Sequence, residues 1–249
     1  MSLRIVLVGT SHPGNIGSVA RAMKTMGLED LYLVAPERFP AAEATAMASN
    51  ATDVLGRARI CNRLREAVDD CGLVVGTTAR PRQMAWRVLE PREAALEICQ
   101  AGVTGDVALL FGSERSGLSN EEIEQCQLLV TIPTGSQYAS LNLAMAVQLL
   151  AYEVLLASRS PRAAVGQKVP LATAAELEKL FQQLEQVLEE IDFRDRTGSG
   201  QLMLRLRRLF NRAVLDQNEA NILRGILTAV QGRRRRAGAP RHDAGDNRQ

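Results

Sequence analysis

Three short stretches of small and polar residues have the composition to hold a ligand: Thr77-Thr78-Ala79, Gly112-Ser113-Glu114, and the segment from Ile132 to Asn142, IPTGSQYASLN. Each follows a strand-like apolar run, and the carboxyl ends of strands are where open α/β sheets bind ligands. Small residues there leave backbone donors and acceptors open to close approach. Any one stretch by itself reads as an ordinary tight turn before it reads as a ligand site, but three in one sheet weaken that reading. A fourth group, Asn15, Ser18 and Arg21, recurs every three residues and so shares one helical face. On spacing alone Arg21 reads as a solvated charge.

Two phosphate-binding patterns are close and fail. Gly112 to Ser119 matches the G-x-x-x-x-G-K-[S/T] loop except that Leu118 stands where the phosphate-binding lysine must be. After the first strand, Gly14 and Gly17 lack the third glycine of a dinucleotide fingerprint. With two histidines, His12 and His242, a histidine-based metal centre or serine-histidine hydrolase has little to work with, and no metal is expected. The cysteines Cys61, Cys71, Cys99 and Cys126 are 10, 28 and 27 residues apart, without the close pairs of zinc sites, and read as reduced thiols of a cytoplasmic protein.

The elements that position these residues alternate. Leu3 to Val8, Leu31 to Val34, Leu73 to Gly76, Val107 to Phe111 and Leu128 to Ile132 read as strands. Helical patterns fall at Asn15 to Met26, Ala41 to Ser49, Leu64 to Val68, Glu93 to Cys99 and Leu141 to Ala157, with Ser140 as the expected N-cap of the last. Ser119 and Glu122 form a capping box for a short helix. Strands alternating with helices predict an α/β domain with a mostly parallel sheet covered on both faces. The longest apolar helix is interrupted by Asn142, Gln148 and Glu153, short of the roughly 20 apolar residues of a membrane span, and no signal peptide pattern is present, so a soluble chain is expected.

Beyond Ser158 the character changes. Residues 159–172 read as a linker with two prolines and a glycine. Residues 173–231 predict a small all-helical domain, opened by a Thr173/Glu176 capping box, with further helices near Gln201 to Phe210 and Glu219 to Val230. Residues 232–249, starting at Gly232 and the run Arg233 to Arg236, read as a disordered basic tail. The net charge of +2 conceals an asymmetry. Residues 1–160 hold 14 Lys and Arg against 17 Asp and Glu, and residues 161–249 hold 16 against 11. An arginine-rich end suggests an anionic partner, nucleic acid being the usual one. Aromatic residues are only 4%, too few for extensive base stacking.

Three segments carry a family resemblance. Asn15 with Gly17-Ser18-Val19-Ala20-Arg21, then Leu110 to Ser119 (LFGSERSGLS), then Ile132-Pro133 through Ser140-Leu141-Asn142-Leu143-Ala144 resemble, in order, the three motifs of the SPOUT RNA 2'-O-ribose methyltransferases. The match covers residues 1–158. Within the superfamily it is closest to the TrmJ type of tRNA (cytidine/uridine-2'-O)-methyltransferase, whose helical C-terminal extension the basic segment also resembles.

The resemblance implies a C-terminal trefoil knot, which sequence-first rules would discard, and S-adenosyl-L-methionine as cofactor. Its adenosine would be held by Thr77, Thr78, Ala79, Gly112, Ile132, Ala139, Ser140 and Leu141. It implies a homodimer and, for the TrmJ type, methylation of cytidine or uridine 32 of tRNA. Arg21 would lie near the attacking hydroxyl, with Asn15, Glu114, Ser140 and Asn142 around it. A guanidinium stays protonated and is a poor base, so Arg21 is expected to fix a phosphate and polarise the hydroxyl, the proton passing to phosphate, water or Glu114. Arg80, Arg82, Arg115, Arg205, Arg207, Arg208 and Arg212 are expected to meet RNA backbone, and Tyr138 to contact a nucleotide or, alternatively, to anchor its loop half-buried. Methylation of ribosomal RNA, or a non-catalytic RNA-binding protein of the same fold, are the alternatives.

Overall fold

The computed structural model describes residues 2–79, 86–135, 140–159, 169–193 and 201–237. Among them, seven strands form one parallel sheet: β1 (Leu3–Val8), β2 (Leu31–Val34), β3 (Arg59–Cys61), β4 (Cys71–Thr77), β5 (Val88–Leu89), β6 (Asp106–Phe111) and β7 (Leu128–Val130), in the order β3-β2-β1-β6-β4-β7-β5. The chain winds outward from β1 through β2 to β3, then returns to build the other half. The reversal lies at β1, β6 and β4, the kind of switch point at which doubly wound sheets leave a crevice.

Both faces of the sheet are covered, as a parallel sheet requires. Leu3, Ile5 and Leu7 of β1 join Val107, Leu109 and Phe111 of β6 in one core cluster, while Val6, Val8, Ala108 and Leu110 join a second on the opposite face. On the first face lie α1 (Pro13–Thr25), α2 (Ala42–Ala48), α5 (Pro91–Ala101) and α7 (Leu143–Ser158). α1 and α2 touch backbone to backbone: a Cβ on Gly17 would come within 2.0 Å of the Ala44 carbonyl oxygen. On the second face lies α4 (Leu64–Val68). Short α3 (Thr52–Gly56) and α6 (Asn120–Ile123) complete this domain, α6 with the expected Ser119/Glu122 capping box.

Arg4 is 5% exposed, and its guanidinium bonds Asp70 at 2.5 and 2.6 Å and Asp106 at 2.5 Å. Burial works against its charge, but the hydrogen bonds and charges of Asp70 and Asp106 more than reverse that, and its pKa is raised. All four cysteines are buried free thiols.

The C-terminal part comprises α8 (Ala174–Glu190), α9 (Leu202–Ala213) and α10 (Gln217–Ala237). They enclose a separate core of Ala172, Leu177, Leu180, Phe181, Leu215 and Ala220. Thr173 and Glu176 make the expected capping box, and Asp216 and Glu219 exchange the same bonds ahead of α10. Two sequence boundaries move. Leu171 bridges Asp216 and is buried with Ala172, so the end of the expected linker is packed. α10 continues through Gly232 to Ala237, so the first six residues of the expected disordered tail are helical. One glycine costs a helix only about 1 kcal/mol, and the arginines after it are good helix formers. Residues 238–249 lie outside the described residues.

Candidate active site

β1, β6, β4 and β7 are consecutive in the sheet and parallel, so the loops after them stand side by side. Glu114, in the loop after β6, lies at the centre. Its Oε2 accepts hydrogen bonds from the Ser11 backbone N–H at 3.1 Å and the Ser11 hydroxyl at 3.2 Å. Its Oε1 accepts from Asn15 Nδ2 at 2.8 Å and the His12 N–H at 3.4 Å. Asn142 Nδ2 in turn donates to Asn15 Oδ1 at 3.1 Å. Three expected site residues from three separate motifs thus form one chain, Glu114–Asn15–Asn142. Partial burial would raise the Glu114 pKa, but the hydrogen bonds from Asn15, Ser11 and His12 outweigh it and hold the carboxyl below the usual value of 4.5. It is an anion saturated with donors, and a weak proton acceptor.

Asn142, not Ser140, caps α7: its Oδ1 accepts from the Ala144 N–H at 2.9 Å. Ser140 is exposed two residues earlier. The amide has both a donor and an acceptor, so one side chain caps α7 and reaches α1 together.

The loop after β6 is folded tightly. Gly117 N–H donates to the Ser113 carbonyl at 2.9 Å, and Gly117 has φ +69°, which favours glycine. A Cβ on Gly112 would lie 2.0 Å from the Gly117 carbonyl carbon and 2.1 Å from the Leu118 nitrogen. Two parts of the backbone therefore meet at a distance only glycine permits. Next to it, Thr77 closes β4, and its hydroxyl bonds the Leu110 carbonyl at 2.9 Å. The Thr78 N–H donates to the Val130 carbonyl at 2.9 Å, so that donor is not available to a ligand. Ala79 and Ser140 are exposed, Gly112, Ile132 and Leu141 half-buried. Ala139, with Arg80, Arg82 and Tyr138 of the expected RNA contacts, lies outside the described residues.

Arg21 is exposed on α1, its side chain without a partner among the described residues. Six residues separate it from Asn15, roughly 9 Å of helix. Helical side chains tilt toward the N-terminus, which in α1 is the end where Asn15 meets Glu114. Arg115 is exposed in the Gly112–Gly117 loop.

The four arginines of α9 divide. Arg207 turns inward, bonding Glu178 at 2.6 and 3.0 Å, with its guanidinium 4.6 Å from the Phe181 ring centroid. Arg65 holds the same carboxylate at 3.1 Å. Of the arginines expected to meet RNA, Arg207 is the one whose guanidinium joins α9 to α8. Arg205 and Arg212 are exposed, and Arg208 lies 6.0 Å from the Trp86 ring centroid. Asn211, 3% exposed, donates to the carbonyls of Glu124 and Cys126 and seats α9 against the α/β domain.

Ser11 and Trp86 were not anticipated. Ser11 sits in a turn legible only as a turn, and Trp86 is a lone aromatic outside any periodic pattern. No group of three potential metal ligands occurs among the described residues, and among them no helix is long and apolar enough to cross a membrane.

Comparison with known proteins agrees with this geometry. Residues 2–152 match the SpoU rRNA Methylase family, and residues 175–242 match the TrmJ tRNA methyltransferase C-terminal domain. A tRNA (cytidine/uridine-2'-O-)-methyltransferase TrmJ of Sodalis glossinidius is 50% identical over 233 residues, covering 92% of this chain and 91% of its own. That of Pectobacterium atrosepticum is 50% identical over 234 residues, covering 92% and 97%. The crystal structure of TrmJ from Z. mobilis ZM4 superposes with a TM-score of 0.79 at 35% identity, over 93% of this chain and 100% of that one. A probable methylase family protein from Haemophilus influenzae gives 0.62 at 41%, over 95% and 98%. With both segments matched in order and half of its residues shared with such relatives, the chain belongs to the SpoU methylase family and, within it, to the TrmJ group.

Proposed function

We propose that the protein is an S-adenosyl-L-methionine-dependent tRNA methyltransferase that methylates the ribose 2'-hydroxyl of cytidine or uridine 32, acting as a homodimer in the cytoplasm. The observation that carries this reading is the Glu114–Asn15–Asn142 chain, which draws residues of all three motifs to one point at the strand ends. tRNA is preferred to ribosomal RNA because the similarity to relatives named as tRNA enzymes runs through the C-terminal domain as well. The trefoil threading of the segment after β7 belongs to the same reading.

The residues present fit the cofactor. Gly112 lies where two stretches of backbone pack closely, and Ala79, Ile132, Ser140 and Leu141 are exposed or half-buried in the segments that follow β4 and β7. Of the Thr77–Ala79 stretch, Ala79 is the exposed member, the Thr78 N–H being engaged in the sheet. When bound, S-adenosyl-L-methionine supplies an electrophilic sulfonium methyl. The chain must align the hydroxyl and assist loss of its proton. Glu114 positions: it ties the start of α1 to the loop after β6, and with its lone pairs taken and its pKa lowered it is not the base. Arg21, projecting back along α1, holds a nucleotide phosphate and polarises the hydroxyl, whose proton leaves to phosphate or water.

The dimer is supported by α7. Met145, Leu149, Tyr152 and Leu156 recur at spacings of four, three and four and are 57%, 42%, 45% and 38% exposed. This apolar stripe is of the kind a two-fold interface covers.

The test is methyl transfer from labelled S-adenosyl-L-methionine to unmodified tRNA, with mapping of the labelled nucleotide. A 2'-O-methylpyrimidine at position 32 is expected. Label at another position would discard the site assignment, and label only in ribosomal RNA would discard the substrate. A structural neighbour at 26% identity and TM-score 0.51 is described in terms of methylation of C/U34 on tRNA, so the mapping must separate those two positions.

A further inference from the structure

A cavity of about 350 Å³ opens between α9 and the chain entering β5. Among the described residues its lining includes Trp86, Gln127, Arg205, Arg208 and Arg212, and no carboxylate. The remaining arginine there, Arg87, is paired with Glu97. Arg205, Arg208 and Arg212 recur at three and four residues, so their charges converge on one helical face. Arg205 and Arg212 are exposed and form no ion pair among the described residues, so an anion between them would relieve their mutual repulsion. Trp86 adds an indole face beneath Arg208. Gln127, 4% exposed, is fixed from below by accepting the Val74 N–H at 2.7 Å. Two exposed guanidiniums, one aromatic plane and this volume suit an anion that carries a flat ring.

The place of the cavity matters as much. Trp86 and Gln127 precede β5 and β7, at the amino end of the sheet, whereas Glu114 and Asn142 follow strands at the carboxyl end. The seven residues of β4 separate the two ends by roughly 20 Å. A ligand in this cavity is therefore not the group being methylated in the same subunit.

We propose that this cavity is an RNA exosite holding one nucleotide away from the methylated ribose, its base stacked on Trp86 and its phosphate between Arg205 and Arg212. The proposal rests on the reading of the protein as an RNA methyltransferase and deepens it. It gives the C-terminal domain a defined contact in place of diffuse charge.

Trp86 is the only tryptophan in the chain, so its fluorescence reports on this cavity alone. The full-length protein is titrated with unmodified tRNA and, separately, with a short oligouridylate. Saturable quenching by both is expected, with the midpoint moving about tenfold higher in an Arg205→Ala, Arg212→Ala double variant. Trp86→Leu should raise KM for tRNA about tenfold and Trp86→Phe should restore it, while affinity for S-adenosyl-L-methionine stays unchanged in both. Saturation of tRNA binding by filter retention without any change in Trp86 emission overturns the exosite, as does an unchanged KM in Trp86→Leu. Quenching by oligouridylate in a protein that methylates no RNA would uphold the cavity and defeat the methyltransferase reading. Methylation with normal KM in both variants would do the reverse.

Discussion

Glu114 takes hydrogen bonds from Ser11, His12 and Asn15 and is half-buried, whereas Arg205 and Arg212 are exposed on α9 and form no ion pair among the described residues. One region works by fixed geometry, the other by charge. Short, directional contacts in a partly dry site fail abruptly when one atom changes, and salt affects them little. Exposed guanidiniums act additively, tolerate displacement, and weaken steeply with salt because binding to phosphate releases counterions. The protein thus separates aligning a nucleotide from retaining the RNA that carries it.

The sharpest test of this division is Arg21→Ala. Turnover should fall about 10²- to 10³-fold, the scale for removing a charge from a reacting centre, with cofactor binding by calorimetry intact. Normal turnover would remove Arg21 from the machinery. Next is Glu114→Gln, which replaces an acceptor oxygen with an amide donor facing other donors, at a cost of about 1–3 kcal/mol. Activity should fall tenfold or more and the thermal midpoint by several degrees, and neither loss should respond to salt. A loss that did track salt would blur the two regions together.

Within α9 the comparison can be made between neighbours. Arg207→Ala leaves Glu178 with Arg65 and the Gln182 amide and removes the Phe181 contact, at about 1–3 kcal/mol of stability in urea unfolding. Arg212→Ala should change stability by less than about 0.5 kcal/mol. Equal losses would mean that the exposed arginines also hold the fold.

The smallest effect expected is at acid pH. Burial alone would raise the pKa of Glu114 and Glu178, but hydrogen bonds from Asn15 and the Ser11 and His12 N–H groups, and from Arg207 and Arg65, hold both below 4.5. Their contribution is therefore fully present above that value and is lost as pH falls through the lowered folded-state pKa. Urea midpoints should decline below about pH 4.5, and the decline should be shallower in Glu114→Gln.

What the sequence disclosed was local. The Ser119/Glu122 and Thr173/Glu176 boxes and the longer strands depend on near neighbours and formed as read. β3 and β5, at three and two residues, are too short to show periodicity. Ser140 was the better local cap, but Asn142 is bound by Asn15, 127 residues away, and takes the role. Arg207 and Arg205 look alike in the chain. Only Glu178 on the facing helix separates them, and that partner is a property of packing. Trp86 gave no signal because its meaning depends on arginines more than a hundred residues later.

Those two brief strands bear on association as well as on fold. Among the described residues they are the outermost members of the sheet, and a strand at the edge of a sheet offers backbone donors and acceptors that another chain could join. A border of three residues beginning at Arg59, and another of two, give an incoming strand almost no length to pair with. At high concentration, self-association should therefore proceed through apolar side chains on helices rather than by extension of the sheet, giving discrete oligomers in place of fibres.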